Sequence, residues 1–560
     1  MQIKLFFNVL VVLAFFNVAE SQNLKLKIES SISQENTLIE LIGYLDSFEN
    51  YEALNGEIQS FKNTMYKLGY IESKIQSISK INSITSVQII LGNKYENIKI
   101  YAGKNIFELL DIVPKLSHDS LYYVQSKLTN VETLMKQLTE SLTNSGYPFA
   151  SVSLDNIGLF ENNQLKANLK IITKQPRVIN SIEIKGYEDF PRSFINHYLD
   201  IEKNDLFVLK EVQSKTKSLD QLSFAKQIKP AEVLFTKDTT NVYVYIKKNK
   251  SNRFDGFLGF GSKDTSKGLD INGYLLLNLV NNFNFGESFM LNYRSDENDL
   301  KTFDVKLILP YLLKSAIGSE LSLSIFKRDS TFITNEQYAN LFYQLKAKHR
   351  LYLGFRSSES NALESDQSSE IFDYKTKAIE LRYKYVDRTP RNLLFPIKSQ
   401  IRIRFSRANR KTSLLNENQN IYSIKAKHIF SINASSSIYM GIESQGILSK
   451  NYLENELLRF GGMNTIRGFE ENSINARTYG LVISEYRLRL SQSLYIHSII
   501  DAGYFDTNTE RNQNIVGLGL GFGIMTKTGL LRLNIANGQS KGQKFKFSNS
   551  KVHLSLTANF

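Results

Sequence analysis

The chain has 560 residues, 42% hydrophobic and 12% aromatic, which is enough apolar material for several cores and too much for a disordered chain. It has no cysteine, which excludes disulfides, thiolate metal sites, cysteine nucleophiles and a lipid-modified N-terminal cysteine. The formal net charge of +14 is scattered along the whole length with no zinc, helix-turn-helix or RNA-binding motif beside it, so it points to lipid phosphates or a wet lumen and not to nucleic acid.

Residues 1–21 read as a secretory signal, with Lys4 at the positive start, an apolar run over 5–16 and the small-x-small site Ala19-Glu20-Ser21. The run is shorter than the roughly 20 apolar residues a spanning helix needs, and no later stretch reaches that length either. An exported chain of this kind can still enter a membrane as a closed barrel, the other structure that satisfies its own backbone groups there.

From residue 22 to about 250 the pattern mixes strands and helices and repeats itself three times. The first round (22–93) has a strand at 24–30, helical spacing over 37–45 and 51–68, and strands at 71–77 and 86–91. The second (94–175) has a strand at 98–101, helical segments ending at Leu142, and strands at 149–154 and 165–173. The third (176–250) has a strand at 182–187, helices near 193–199 and 209–222, and strands at 231–235 and 241–247. Leu68-Gly69-Tyr70 and Ser145-Gly146-Tyr147 close the second helix of the first two rounds, which argues for duplication. In the third, Ser223-Phe224 stands at that place.

After about residue 251 the pattern becomes period two and stays so. At the end of the chain, Val552, Leu554, Leu556, Ala558 and Phe560 share one face, and Lys551, His553, Ser555, Thr557 and Asn559 the other. Apolar outside and polar inside is the pattern of a transmembrane β-barrel. Residues 516–524 put Gly517, Gly519, Gly521 and Gly523 on one face, leaving room for something inside. With 29 tyrosines, 36 phenylalanines and only 8 prolines, residues 251–560 suit an antiparallel barrel of about 16 strands. The first strand is expected at 253–261 and the last five at 479–490, 494–504, 515–527, 529–536 and 551–560. Both ends then lie on one side, with short joins at 491–493 and 526–529, and the long connector before Tyr479 emerges on the other.

That connector holds Gly461-Gly462 and Ile466-Arg467-Gly468-Phe469. The next strand carries Glu485-Tyr486-Arg487 and the one after it Asp501-Ala502-Gly503, with Glu485 and Asp501 on the inner, polar face. Residues 385–396 contain Asp387-Arg388 and Leu394-Phe395-Pro396. This ordered set, with a terminal Phe560, resembles the outer-membrane-protein insertase superfamily: the barrel of the bacterial assembly complex, its translocation-and-assembly relative and the organellar import barrels. The three N-terminal rounds resemble polypeptide-transport-associated (POTRA) domains. The expected fold is therefore α+β POTRA repeats followed by a transmembrane barrel in the bacterial outer membrane, with the repeats in the periplasm.

The resemblance implies that the outer connector folds into the lumen and that Arg467, with Gly468 and Phe469 beside it, pairs with Asp501 first and Glu485 near it. A planar guanidinium holds a carboxylate by two bonds and stays charged. Ile499 stands where the family usually has Phe. The resemblance also implies a client-binding seam between the first and last strands (Arg253, Phe254, Gly256; Val552, Leu554, Leu556, Phe560). Its implied partners are unfolded outer-membrane proteins, periplasmic chaperones, accessory lipoproteins or assembly subunits, and outer-membrane lipid. Three repeats look closer to the translocation-and-assembly relative. The competing expectation is a two-partner secretion-type export pore, a family that usually has two repeats. No phosphate-binding loop, H-E-x-x-H or G-x-S-x-G is present, and the six histidines are scattered, so neither an enzyme, a metal site nor a cofactor is expected.

Overall fold

The computed structural model describes residues 24–103, 123–160, 164–262, 269–295, 300–363, 371–389, 392–527, 529–540 and 546–558. The expected signal, residues 104–122 of the expected helical segments, and Phe560 lie outside the described residues. The chain forms two compact units, one on residues up to Arg177 with 206–209, the other on 178–205 and 210 onward.

The first unit holds two small α/β domains. In the first, the sheet order is Ser47–Phe48, Leu24–Glu29, Ile84–Ile90, Lys74–Ile81, with Leu24–Glu29 parallel to Ile84–Ile90. Leu24, Leu26 and Ile28 alternate into the core, where they meet Leu54, Ile58, Phe61 and Met65. Those four recur at helical spacing on Tyr51–Lys67, whose start is capped by the Asn50 side chain accepting from Ala53 N at 2.8 Å. The second domain repeats the order with Tyr123–Lys127, Asn97–Tyr101, Gln164–Ile172 and Ser151–Phe160, covered by helix Val131–Asn144. The short edge strands Ser47–Phe48 and Tyr123–Lys127 have no counterpart among the expected elements, and two to five residues give too little alternation to read. The strand expected at 71–77 instead begins at Lys74, because Ile71 packs against the core of the second domain.

The second unit begins with a third domain, in which Thr240–Lys248 runs parallel to Ser181–Lys185 and antiparallel to Glu232–Phe235 and Ala225–Gln227. The rest is one sixteen-stranded antiparallel sheet. Its strands are β1 Arg253–Ser262, β2 Leu269–Val280, β3 Ser288–Ser295, β4 Lys301–Leu309, β5 Ile317–Arg328, β6 Phe332–Lys346, β7 His349–Ala362 and β8 Tyr374–Arg388. They continue as β9 Ile397–Lys411, β10 Asn416–Ser431, β11 Ser436–Leu448, β12 Thr478–Arg489, β13 Leu494–Asp506, β14 Gln513–Met525, β15 Gly529–Ser540 and β16 Lys551–Ala558. Each pairs with its neighbour in sequence, and β1 and β16 come alongside each other to bring the sheet nearly to closure.

Large apolar side chains stand bare on the outer face: Leu353 is 61% exposed, Ile379 66%, Leu520 70% and Leu554 65%. Such a continuous belt is what a lipid-facing barrel presents, because hydrocarbon leaves no driving force to hide it. The third domain meets the end of the barrel where β2–β3, β4–β5, β6–β7 and β8–β9 turn. Tyr187 Oη accepts from Asn281 Nδ2 at 2.7 Å, Phe194 meets Tyr311 edge to face at 4.9 Å, and Tyr198 Oη donates to the Ala347 carbonyl. The Gln221 amide donates to the Arg388 carbonyl and accepts from the Arg388 N–H, at 3.1 and 2.7 Å. By strand parity the turns β12–β13 and β14–β15 share that end, and the long β11–β12 connector leaves from the other.

Candidate functional site

The connector between β11 and β12 is a lid. After a short 3-10 turn, Glu454–Glu456, it forms a hairpin in which Leu458–Phe460 pairs with Ile474–Ala476. Phe460, Ile466 and Ala476 pack on Tyr479 and Leu481 of β12 and Ile515 of β14, with Phe469 and Phe505 at the margin. Phe460 stacks on Tyr479 at 4.3 Å. The upper inner wall is therefore apolar where the sequence pattern suggested a wet face, and burial of these rings draws the lid inward.

At the hairpin tip the chain closes a tight loop. Gly462 N donates to the Ile466 carbonyl and Gly461 N to Thr465 Oγ1, at 3.1 and 2.9 Å, which aims residue 467 at the wall. Gly468 has φ +92°, and a Cβ there would lie 2.3 Å from Gly538 N on β15. On β14 a Cβ at Gly517 would lie 2.2 Å from the Arg467 carbonyl oxygen, so that inner-face glycine makes room for the lid backbone itself. Phe469 lies over Gly538 and within the lid's apolar cluster, to one side of the ion pair.

Arg467 donates to Asp501 through Nε at 2.8 Å, Nη2 at 2.6 Å and its own backbone N at 3.0 Å. Its Nη1 bonds Glu485 Oε1, while Glu485 Oε2 accepts from Arg487 Nε at 2.7 Å. Arg467 is 1% exposed, Glu485 2% and Asp501 0%. Arg467 and Arg487 match the two carboxylates, Arg532 stands 3.9 Å from Glu485 Oε1, and the carboxylates have donors to both oxygens, the condition under which charges tolerate burial. Arg487 is held flat between Phe395 and Tyr439, at 4.6 and 4.3 Å from their ring centres. Phe395 reaches it because residues 392–396 turn into the barrel, bringing the ring against Tyr495 at 4.8 Å. Ile499 is fully packed at 1% exposure.

A second anchor was not foreseen. Arg410 on β9, 1% exposed, bonds Glu417 on β10 through one nitrogen and Glu456 in the lid through another. Beside it, Asn455 Nδ2 donates to Ser360 Oγ and the Phe372 carbonyl, both at 2.9 Å. Arg459 of the lid lies over Phe326 and Phe332 at 4.3 and 5.0 Å. Arg410 and Glu417 are register partners across the tight β9–β10 hairpin, so opposite charges flanking a short polar turn were a readable signal. Their partner Glu456, remote in sequence, was not.

The seam residues are not brought together by a hydrogen-bonded ladder. Among the described residues no register joins β1 to β16, whereas every other neighbouring pair has one. Phe254 is 48% exposed, and Val552 and Leu554 are each 65% exposed, all turned outward. Gly256 presses on β2, where a Cβ would lie 2.5 Å from the Tyr274 carbonyl oxygen. Leu556 is half-buried. Two contacts tie the lid to β16: Lys551 Nζ to Glu470 Oε1 at 2.8 Å, and Gly468 N to His553 Nε2 at 3.4 Å.

A nearly closed sixteen-stranded barrel with an inturned, arginine-anchored lid, preceded by small α/β domains of POTRA type, sets the class by its architecture: a POTRA-and-barrel membrane protein. Residues 281–552 match the Omp85 superfamily domain, which makes the barrel an Omp85 superfamily domain. Among solved structures, CdiB from Acinetobacter baumannii matches with a TM-score of 0.54 at 11% identity over 91% of this chain and 97% of that one. CdiB from Escherichia coli matches equally well, at 0.54 and 11%, over 91% and 98%. BamA from Haemophilus ducreyi lacking POTRA domains 1–3 matches at 0.48 and 14% identity, over 82% and 99%. A comparison with curated protein sequences finds no match.

Proposed function

We propose that this protein assembles other β-barrels into the outer membrane, with its three N-terminal domains in the periplasm, where a signal over residues 1–21 would deliver them. Clients meet the exposed sheet edges of those domains, then the junction of β1 and β16, where a strand can be added to each free edge. The observation that carries this reading is that, among the described residues, no ladder joins β1 to β16 in a sheet whose other neighbouring strands are all paired. Client folding supplies the free energy, so the reading needs no nucleotide, cofactor or catalytic centre. Chaperones and accessory lipoproteins would act on the N-terminal domains. Three such domains favour the translocation-and-assembly type of assembly factor over a two-partner export pore.

Because the chain has no cysteine, engineered pairs report without background. A panel of double variants with one cysteine on β1 and one on β16 is expected to cross-link under oxidant and to block growth of barrel proteins in the outer membrane, with recovery on reduction. Cross-linked protein that still supports every barrel would remove the seam from the mechanism. A census of the outer membrane after depletion separates the readings: loss of many barrels fits assembly, and loss of one secreted protein with intact barrels fits export.

A further inference from the structure

The inner wall of the barrel carries a row of like charges. Arg350 on β7 is the register partner of Lys384 on β8, Lys384 of Arg402 on β9, and Arg402 of Lys425 on β10. Four cations therefore stand directly opposite one another across four adjacent strands, an arrangement that repels and destabilises a sheet. The next row along the same strands is balanced: Arg382 bonds Glu320 at 2.8 Å and Arg404 lies 4.0 Å from Glu380. In the first row Glu443 reaches Lys425 at 2.7 Å, but among the described residues Lys384, Arg402 and nearby Lys427 form no ion pair.

The row ends in a cavity of about 560 Å³ beneath the lid. Its lining includes Arg402, Lys425, Lys427, Arg487 and Arg532, and its only lining carboxylates among the described residues are Glu443 and Glu485. Glu485 is already committed to Arg467 and Arg487, and Arg532 reaches it only at 3.9 Å. The wall thus concentrates positive potential in a partly open cavity of the lumen, which raises the local concentration of anions.

We infer that this cavity is a binding site for a small, multiply charged phosphate anion, held by Arg402, Lys425 and Lys427 on one wall and Arg532 on β15. Guanidinium forks take two phosphate oxygens at once, and the lysines act as point charges beside them. Bound phosphate relieves the repulsion within the row. Two sources share this chemistry: soluble phosphate in the lumen, and a lipid headgroup entering at the seam, since Arg253 of β1 and Leu530 and Arg532 of β15 line the same cavity.

The test titrates the purified full chain in zwitterionic micelles with sodium tripolyphosphate by calorimetry, at about 0.15 M salt to screen nonspecific attraction. Saturable binding is expected, weakened by roughly tenfold or more in Arg402→Gln/Lys427→Gln, because each lost contact is a charge-assisted hydrogen bond. Lys377→Gln/Arg407→Gln, which removes the same charge from the exposed outer side of β8 and β9, is expected to bind as wild type. Absence of saturable binding, or equal loss in both variants, overturns the site. A readout on the wild type alone guards against misfolded variants: tripolyphosphate should raise the unfolding temperature above that in sodium chloride of equal ionic strength, and no rise also overturns it. Weaker tripolyphosphate binding in phosphatidylglycerol than in phosphatidylcholine vesicles assigns the site to headgroups, and equal binding assigns it to soluble phosphate.

Discussion

Arg467 and Asp501 share three hydrogen bonds, and one of them comes from the arginine's own backbone N–H. The carboxylate therefore fixes both the charged end of the side chain and the main chain that carries it, so the lid cannot swing away by a change of rotamer alone. Removing the guanidinium leaves Asp501 fully buried with a single donor, at about 3–5 kcal/mol for a buried pair broken from one side. Arg467→Ala should lower barrel stability in urea by an amount of that order, and Arg467→Lys by less, since the ammonium keeps the charge although it cannot make the parallel bonds. In a double-mutant cycle with Asp501→Ala the coupling should be near 3 kcal/mol, the upper end for networked residues. Equal midpoints for wild type and Arg467→Ala would remove the pair as a structural element.

The lid is held at its root as well as its tip. Arg410→Ala leaves Glu417 and Glu456 facing each other without their cation, and Glu456 belongs to the lid. The root of the lid should then open while the tip stays pinned by Arg467. A cysteine at buried Leu457, in a chain with no other thiol, is expected to react with maleimide at least roughly tenfold faster in the Arg410→Ala background, the factor for about 1.4 kcal/mol of easier opening. An unchanged labelling rate would mean that the tip anchor alone controls the lid.

What the sequence made legible follows from what is local. The barrel was readable because lipid outside and water inside impose strict alternation on every strand, and β12 and β13 show it residue by residue in their burial. Arg467, Glu485 and Asp501 were readable as an ordered set of motifs whose strand parity put both acids inside. The lid's apolar seat was not, because Tyr479 and Leu481 occupy inner positions that period two marks as polar until the lid itself is placed over them. The Glu456 anchor and the turn of Phe395 beneath Arg487 depend on loops whose paths no periodicity encodes. The glycines of β14 were read as making room. Gly517 makes it for the lid backbone, whereas a Cβ at Gly521 or Gly523 would strike the neighbouring side chains of His497 and Tyr495.

That close approach predicts a contrast between two glycines. Gly517→Ala puts a methyl 2.2 Å from the Arg467 carbonyl oxygen, a backbone atom fixed by the lock, and Gly158→Ala in the second domain meets nothing within 4 Å. Overpacking typically destabilises by about 1–3 kcal/mol. Gly517→Ala should therefore lower the unfolding midpoint and also speed labelling at Leu457→Cys, whereas Gly158→Ala should change neither. If Gly517→Ala destabilises the barrel without affecting the lid, the close approach at that position has no bearing on lid seating.

The third domain is joined to the barrel through main chain as well as side chain. Gln221 uses both halves of its amide on residue 388, replacing the two hydrogen bonds a neighbouring strand would make, and β8 ends at that residue. Gln221→Ala leaves a carbonyl and an N–H unpaired at the close of β8, and an unsatisfied buried polar group costs about 1–3 kcal/mol. Gln221→Glu keeps the acceptor for the Arg388 N–H but sets a carboxylate against the Arg388 carbonyl, so it should be as harmful although it is nearly isosteric. The expected outcome is faster amide exchange at the end of β8 and across helix Arg192–His197 in both variants, with exchange in β12–β14 unchanged. Slow exchange at Arg388 in Gln221→Ala would show that the aromatic contact of Phe194 with Tyr311 holds the domain in place without the amide.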